Sequence, residues 1–304
     1  MKQNLLKTKF CRIDFSNPTV LASGILGTNS DLLQMIGKQG AGAVTTKSIG
    51  PKERLGNKNP SVIVLEHGLI NSVGLPSAGI KELKPEFESL KKLSIPLIAS
   101  IYGSSADDYV QVAKEVSKYN PDIIELNISC PNKKDGLIFG VSEELAAKVV
   151  KKVKKATKIP VMPKLTPNCT DIAGIAKACE KAGADAICAI NTLKGMAISI
   201  DAKRPILANK IGGLSGPAIK PLAVRCVYEI YEAVKIPILG VGGITDAEDA
   251  IEMMMAGASL VGLGSAVYYG GPEVFSELTK ELQRWMEKNK IKSIKELVGK
   301  AHKK

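Results

Sequence analysis

The chain has 304 residues, of which 45% are apolar, 24% charged and 4% aromatic, a composition that excludes a disordered or fibrous protein. A chain of this length can bury about three quarters of the surface that it exposes when unfolded, so it can fold without disulfide bonds. The formal net charge is +12, but the lysines are scattered along helix-like segments and arginine occurs at only five positions. We therefore predict a solvated lysine-rich surface and no nucleic-acid partner.

Cysteine usage and hydropathy indicate the cellular compartment. The six cysteines include no C-x-x-C pair, and the sequence shows neither a signal peptide nor an apolar run long enough to span a membrane. It therefore offers no recognisable ligand set for an iron–sulfur cluster or a structural metal. We predict a cytoplasmic protein with free thiols, no metal site and no membrane partner. Cys179, Cys188 and Cys226 fall within predicted helices or a strand, where we expect them to be small buried apolar side chains.

A short apolar run, a polar or glycine-rich loop and a helix-like segment follow one another about eight times along the chain. The predicted strands are apolar throughout, as expected of strands that are buried on both faces. They span residues 20–23, 43–47, 96–101, 123–128, 160–165, 186–190, 237–241 and 260–263. The predicted helices include residues 106–119, 142–157, 171–182, 220–234 and 246–256, several of which begin at a Ser, Asp or Thr cap.

Eight strand–helix units over about 250 residues predict a (β/α)8 TIM barrel of the α/β class. We expect residues 1–304 to form a single domain, because no linker, low-complexity tract or charge block marks a boundary. Two long insertions are predicted, residues 48–92 after the second strand and residues 191–221 after the sixth. A doubly wound open sheet is the alternative, but the glycine-rich run 240–245 lacks the last glycine of the dinucleotide-binding fingerprint.

Polar residues or glycines follow nearly every predicted strand, at the end of the barrel where enzymes of this fold hold their active sites. These residues are Ser23, Lys47, Ser48, Ser100, Asn127, Lys164, Asn191, Thr192, Gly242, Gly243, Gly264 and Ser265. The turns after the seventh and eighth strands lie where barrels commonly bind phosphate, because glycine lets backbone N–H groups approach an anion. The pattern predicts a phosphate-bearing ligand, and the alternative is that these glycines only form tight turns.

Three further side chains at this end of the barrel can take part in chemistry. Cys130 lies between Ser129 and Pro131, just after the fourth strand, where a partly ionised thiol can act as a base or a nucleophile. Lys47 and Lys164 can balance the charge of a carboxylate or of an electron-rich cofactor, or form a Schiff base with a carbonyl substrate. Histidine occurs only at positions 67 and 302, which excludes His-based triads and multi-histidine metal sites.

Seven segments carry a more specific pattern: residues 22–24, 46–48, 71–75, 127–132, 191–197, 212–221 and 240–244. They resemble the dihydroorotate dehydrogenase family, class 1, and in particular the catalytic subunit of its subfamily B. The resemblance extends over nearly the whole chain. Its most specific parts are the motif Asn-Ile-Ser-Cys-Pro-Asn at 127–132 and the run Gly-Gly-Leu-Ser-Gly-Pro-Ala at 212–218.

The resemblance implies oxidation of dihydroorotate to orotate in pyrimidine (UMP) biosynthesis, with FMN at the top of the barrel. Cys130 would take the C5 proton while hydride leaves C6 for the flavin. The residues implied to bind FMN are Ser23, Lys47, Ser48, Ser100, Asn127, Lys164, Ile190, Gly216, Gly242, Gly243, Gly264 and Ser265. The residues implied to bind the pyrimidine and its carboxylate are Lys47, Asn71, Ser72, Val73, Gly74, Leu75, Asn127, Asn191 and Thr192.

Two positions depart from the family pattern. Ser100 stands where the family usually has Asn, and the segment 76–79, which contains Ser77, replaces the commoner Gln-Asn-Pro-Gly. The shorter Ser100 side chain shortens an implied flavin contact. Both departures are compatible with a shifted preference toward a related dihydropyrimidine.

The resemblance also implies a partner. Catalytic subunits of subfamily B pass electrons to NAD through a second subunit that carries FAD and a 2Fe–2S cluster, so we expect a homodimer or a heterotetramer. Direct transfer to a soluble acceptor is the alternative. Two other functions stay open from the residues alone: a Schiff-base aldolase or lyase that uses Lys164 or Lys47 at the same phosphate site, and a non-catalytic flavin-binding or scaffold subunit.

Overall fold

The computed structural model describes residues 4–27, 29–129 and 139–303. The strands in these ranges are β1 (Thr8–Phe10), β2 (Ile13–Phe15), β3 (Thr19–Leu21), β4 (Ala43–Thr45), β5 (Val62–Leu65), β6 (Gly68–Asn71), β7 (Leu97–Ile101), β8 (Ile123–Asn127), β9 (Val161–Leu165), β10 (Ile187–Ala189), β11 (Leu193–Gly195), β12 (Ile198–Ser199), β13 (Arg204–Pro205), β14 (Gly212–Ser215), β15 (Ile238–Val241) and β16 (Leu260–Leu263). The α-helices are α1 (Ser30–Lys38), α2 (Lys84–Leu90), α3 (Ala106–Ser117), α4 (Glu143–Ala156), α5 (Ile172–Lys181), α6 (Lys220–Ala233), α7 (Ala247–Met255), α8 (Ser265–Gly270) and α9 (Val274–Lys288).

Eight of the strands form one closed parallel barrel in the order β3, β4, β7, β8, β9, β10, β15 and β16. This confirms the (β/α)8 TIM barrel predicted from the sequence. Each barrel strand coincides with a predicted apolar run to within two residues at either end. The agreement has a simple cause, because a strand that is covered on both faces must be apolar at almost every position.

Five of the helices around the barrel begin at side-chain caps, the first of them at Asn29, whose side chain accepts hydrogen bonds from two backbone N–H groups of α1. Ser105, Ser142, Asp171 and Asp246 each accept a hydrogen bond from a backbone N–H in the first turn of α3, α4, α5 and α7, respectively. Each cap satisfies a donor that the helix itself leaves unpaired. Within the described ranges, no helix is long and apolar enough to cross a membrane.

An N-terminal hairpin covers the amino ends of the barrel strands. Its strands, β1 and β2, pair antiparallel, and the rings of Phe10 and Phe15 meet edge to face at a centroid distance of 6.2 Å. Both rings are buried in one apolar cluster with Ile98, Ile123 and Leu260, which lie near the starts of their strands. We call this end of the barrel the closed end, because apolar side chains fill it.

The two insertions meet in a second sheet at the opposite end of the barrel. Strands β5 and β6 come from the first insertion and β11 and β14 from the second, and the sheet order is β11-β14-β6-β5 with antiparallel pairing throughout. We call this four-stranded sheet the roof. The sequence predicted both insertions, but it did not predict that they pair with each other. The roof faces the carboxyl ends of the barrel strands, which we call the open end.

Candidate active site

A cavity of about 500 Å³ lies between the open end of the barrel and the roof. This volume is typical of pockets that bind small molecules and cofactors. The predicted site residues that line it are Ser23, Lys47, Ser48, Asn71, Ser72, Val73, Gly74, Leu75, Asn127, Lys164, Ile190, Asn191, Thr192, Gly216, Gly242, Gly243, Gly264 and Ser265. Residues from seven barrel strands or the turns after them, and from both insertions, are therefore brought to one place.

Two predicted site residues are not among those that line the cavity. Cys130 lies outside the described residues, although its neighbour Ser129 lines the cavity. Ser100 is fully buried below the cavity, and its Oγ lies 2.9 Å from the Oγ of Ser48. Ser100 is thus connected to the cavity through Ser48 without lining it.

The floor of the cavity is a chain of hydroxyl and amide groups at the ends of neighbouring strands. Ser23 Oγ donates to the carbonyl of Thr46 at 2.8 Å and lies 3.5 Å from Ser48 Oγ. Asn127 Nδ2 donates to Ser48 Oγ at 3.1 Å. The carbonyl of Asn127 accepts a hydrogen bond of 2.7 Å from the hydroxyl of Tyr109 on α3. These bonds fix the orientation of the side chains that face the cavity.

A second polar cluster forms where the second insertion leaves the barrel. Asn191 Nδ2 donates to Ser129 Oγ at 2.9 Å and to Asn127 Oδ1 at 3.3 Å. The backbone N–H of Thr192 donates to Asn191 Oδ1 at 2.8 Å. Asn168 Nδ2 donates to the carbonyl of Thr192 at 2.9 Å and so holds this segment from outside the cavity. The cluster presents amide and hydroxyl groups that can pair with a planar ligand containing amide groups.

The roof contributes the segment 71–75. Asn71 Nδ2 donates to the carbonyl of Gly213 at 3.4 Å, and the hydroxyl of Tyr102 donates to the carbonyl of Leu75 at 3.2 Å. Ser72 Oγ is buried and has no hydrogen-bond partner within the described part of the chain. An unpaired buried hydroxyl is unfavourable by itself, and a ligand in the cavity can satisfy it.

Two lysines give the cavity a positive charge. Burial lowers the pKa of Lys47. Lys164 is only 6% exposed, and its ammonium group hydrogen-bonds to no other residue of the described ranges. Burial alone would lower the pKa of Lys164, but the electrostatic interactions with Glu125 and Cys188, of which that with Glu125 is the larger, outweigh this effect and raise it. A buried ammonium group that lines a cavity without a partner there favours an anionic or electron-rich ligand.

Glu125 is a functional-site candidate that the sequence interpretation missed. It lies inside the barrel below the cavity, is 1% exposed, and accepts a hydrogen bond of 2.8 Å from Ser100 Oγ. Its one signal in the sequence was a carboxylate within the otherwise apolar run 123–128. Such a residue is almost never fully buried unless it is paired.

Glycine-rich turns after β15 and β16 form the remaining wall. Gly243 has a φ of 74°, and a Cβ at this position would lie 2.6 Å from the Cβ of Lys220. Lys220 in turn forms ion pairs with Asp249 and with Glu252, the latter at 2.9 Å. Asp249 also accepts hydrogen bonds from the backbone N–H and the hydroxyl of Thr245, at 2.8 and 2.6 Å. The turn is therefore held in a shape that only glycine fits without strain.

Three further cysteines are buried, as the sequence predicts for apolar side chains. Cys179, Cys188 and Cys226 are buried, and burial raises the pKa of Cys179 to about 12, so its thiol stays neutral near pH 7. In the part of the chain that the structure describes, no three or more His, Cys, Asp or Glu side chains are grouped so that they could hold a metal ion.

Known proteins match the chain along almost its full length. A family model described as dihydroorotate dehydrogenase matches residues 5–286. The chain is 49% identical over 307 residues to the "Dihydroorotate dehydrogenase B (NAD(+)), catalytic subunit" of Methanocaldococcus jannaschii, with 99% of this chain and 100% of the relative covered. Relatives of the same name are 45% identical in Methanothermobacter thermautotrophicus and 46% identical in Pyrococcus furiosus, each with 98% of this chain and 99% of the relative covered.

Proposed function

Because the chain belongs to the dihydroorotate dehydrogenase family, we propose that it oxidises dihydroorotate to orotate in pyrimidine biosynthesis, with FMN bound at the open end of the barrel. The observation that carries this proposal is the cavity of about 500 Å³, which is lined by nearly all of the residues implied to bind flavin and substrate. A Schiff-base lyase on the same barrel receives no support from the three relatives, which are all named as dehydrogenases.

The residues of the cavity fit FMN in charge and shape. The backbone of Gly242, Gly243, Gly264 and Ser265 is open to an anion, which suits the phosphate of FMN. The buried ammonium group of Lys164 suits the electron-rich end of a flavin ring. When bound, FMN supplies the acceptor for the hydride that leaves C6 of dihydroorotate.

The substrate is assigned to the amide-rich part of the cavity. Asn71, Asn127, Asn191 and Thr192 can pair with the ring N–H and C=O groups of dihydroorotate, and Lys47 can pair with its carboxylate. A buried polar group of the site costs about 1–3 kcal/mol when a ligand leaves it unpaired, so these contacts discriminate against pyrimidines that lack a matching group.

Cys130 is assigned the proton transfer. Its thiolate takes the proton from C5, and the electron pair of that C–H bond becomes part of the new C5–C6 double bond as the hydride leaves C6. A thiolate suits this role, because nearby cations can bring the pKa of a thiol near neutrality. Lys47 and Lys164 line the cavity together with Ser129, the residue that precedes Cys130 in the chain.

We further propose that a second subunit, carrying FAD and a 2Fe–2S cluster, receives the electrons and passes them to NAD. The names of the relatives, each a catalytic subunit of an NAD(+) enzyme, support a partner of this kind. The proposed assembly is a homodimer of this chain or a heterotetramer with the partner subunit. The unpaired cysteines, among them buried Cys179, Cys188 and Cys226, fit a location in the reducing cytoplasm.

An anaerobic visible spectrum of the purified chain, recorded before and after addition of dihydroorotate, tests the cofactor and the substrate together. We expect flavin bands that bleach on addition. Protein that stays colourless after reconstitution with FMN contradicts the proposed cofactor, and flavin bands that do not bleach contradict the proposed substrate.

Substitution of Cys130 tests the assignment of the base. We expect Cys130→Ala to lower dihydroorotate oxidation by orders of magnitude while FMN stays bound, because the C5 proton then has no acceptor. Cys130→Ser should retain some activity, shifted to higher pH, since a hydroxyl is the weaker acid. Cys179→Ala, at a buried thiol remote from the proposed chemistry, is the matched control, and an equal loss in both alanine variants would contradict the assignment.

A further inference from the structure

Glu125 is a buried carboxylate that the proposed reaction does not use. It lies in the middle of β8, two residues before Asn127, so both side chains are on the inner face of the barrel. At 1% exposure it has almost no contact with solvent. Burying a charge is costly unless other groups compensate it, and its surroundings should therefore contain partners.

Hydrogen bonds connect Glu125 to the cavity. Ser100 Oγ donates to Glu125 Oε1 at 2.8 Å and lies 2.9 Å from Ser48 Oγ. Ser48 lines the cavity and accepts a hydrogen bond from Asn127. A continuous polar chain thus runs from the cavity floor down to the carboxylate.

Lys164 supplies the compensating charge. Lys164 lies on β9, where it pairs in register with Asn127 of β8 and with Cys188 of β10. Because Glu125 is two residues before Asn127 on β8, its side chain is on the same face as that of Lys164 and diagonal to it. Among the described residues, the titratable groups that act on Lys164 are Glu125 and Cys188. Burial raises the pKa of the Cys188 thiol well above its ordinary value, so Glu125 is the negative charge of this group.

We propose that Glu125 is a positioning residue for Lys164, which keeps the ammonium group charged where it lines the flavin site. This inference rests on the proposed FMN site. Lys164 then stabilises the electron-rich reduced form of bound FMN relative to the oxidised form. Glu125 does not itself contact the flavin site, because Ser48 and Ser100 separate it from the cavity.

The test is the reduction potential of bound FMN in Glu125→Gln, measured anaerobically from pH 6 to pH 9. Glutamine keeps the volume and can accept the hydrogen bond of Ser100, but it removes the charge. Burial then lowers the pKa of Lys164, and the ammonium group loses its proton as the pH rises. At pH 9 we expect reduced FMN to bind about tenfold more weakly relative to oxidised FMN than in the wild type, which corresponds to a potential about 30 mV lower. At pH 6 the difference should be smaller.

The sign of the shift separates this role from a simple loss of charge. If Lys164 stayed protonated without Glu125, the lost negative charge would raise the potential. A potential equal to or above that of the wild type at pH 9 therefore overturns the proposal. Lys164→Met should lower the potential at every pH, and adding Glu125→Gln to Lys164→Met should not lower it further at pH 9. A further fall of the potential in the double variant also overturns it.

A folding measurement covers the case in which Glu125→Gln alone does not fold. The double variant removes both charges, so its apoprotein should fold, as followed by circular dichroism. Failure of the double variant to fold overturns the proposal. If the wild-type chain binds no FMN, the proposed function itself is contradicted. If the wild-type chain binds FMN and Glu125→Gln leaves the reduction potential of FMN unchanged, only the role of Glu125 is contradicted.

Discussion

The closed end and the open end of the barrel are built from the same eight strands but differ in what fills them. At the closed end, Phe10 and Phe15 pack against apolar residues near the strand starts. At the open end, Ser72 has a buried hydroxyl that no described residue pairs with, and Lys164 has a buried ammonium group. The closed end therefore contributes to stability through packing within the chain, whereas the polar groups of the open end are left for a ligand to pair with.

The largest expected effect follows from a substitution at the closed end. We expect Phe15→Ala to lower the free energy of unfolding by about 3–5 kcal/mol, because it leaves a cavity in a filled apolar cluster. Urea unfolding measures this change. FMN affinity per folded molecule should stay at the wild-type value. Phe15→Leu is the matched control and should cost less than about 1.5 kcal/mol. A large loss of FMN affinity in the folded fraction would show that the two ends are not independent.

The next effect concerns the open end. We expect Asn191→Ala to lower kcat/KM for dihydroorotate about 100-fold, since the amide that contacts Asn127 and Ser129 is lost together with a proposed substrate contact. Its melting temperature should change little. Asn209→Ala, at an exposed position of the same insertion, is the control and should keep full activity. Unchanged kcat/KM in Asn191→Ala would remove this residue from the substrate site.

The smallest expected effect is a difference in stability between alanine variants of two glycines at the open end. We expect Gly243→Ala to destabilise the apoprotein by about 1–3 kcal/mol, because its φ of 74° is strained for alanine and the Cβ would meet Lys220. At Gly264 a Cβ would meet only Ile25 at 3.6 Å and Ala22 at 3.9 Å. Gly264→Ala should therefore keep the stability of the wild type. Thermal unfolding of the two apoproteins checks this, and equal melting temperatures would contradict the steric argument.

The barrel could be predicted from sequence because its signal is local. Each barrel strand is a largely apolar run, and the polar residues at or just after the ends of these runs, such as Lys47 and Asn127, line one cavity in the folded chain. The order of strands in a parallel barrel follows the order of the chain. The fold class was therefore enough to predict that the polar residues at the strand ends lie together at one end of the barrel.

Features that depend on residues far apart in the sequence could not be predicted in this way. Asn71 and Gly213 are 142 positions apart, and nothing within either insertion indicates that they share a sheet. The family resemblance implied a flavin contact for Ser100, but only the folded barrel shows it hydrogen-bonded to Glu125 below the cavity. Glu125 itself was hidden within a run whose apolar character indicated a strand.

The roof has a consequence for the order in which the site is completed during synthesis. The hairpin of β5 and β6 leaves the ribosome more than a hundred residues before its partner strand β14. A two-stranded hairpin is marginally stable on its own in water, and pairing across so long a stretch of chain must await closure of a large loop. The nascent chain can thus form its first barrel strands early, but it cannot close the binding cavity until Ser215 has emerged.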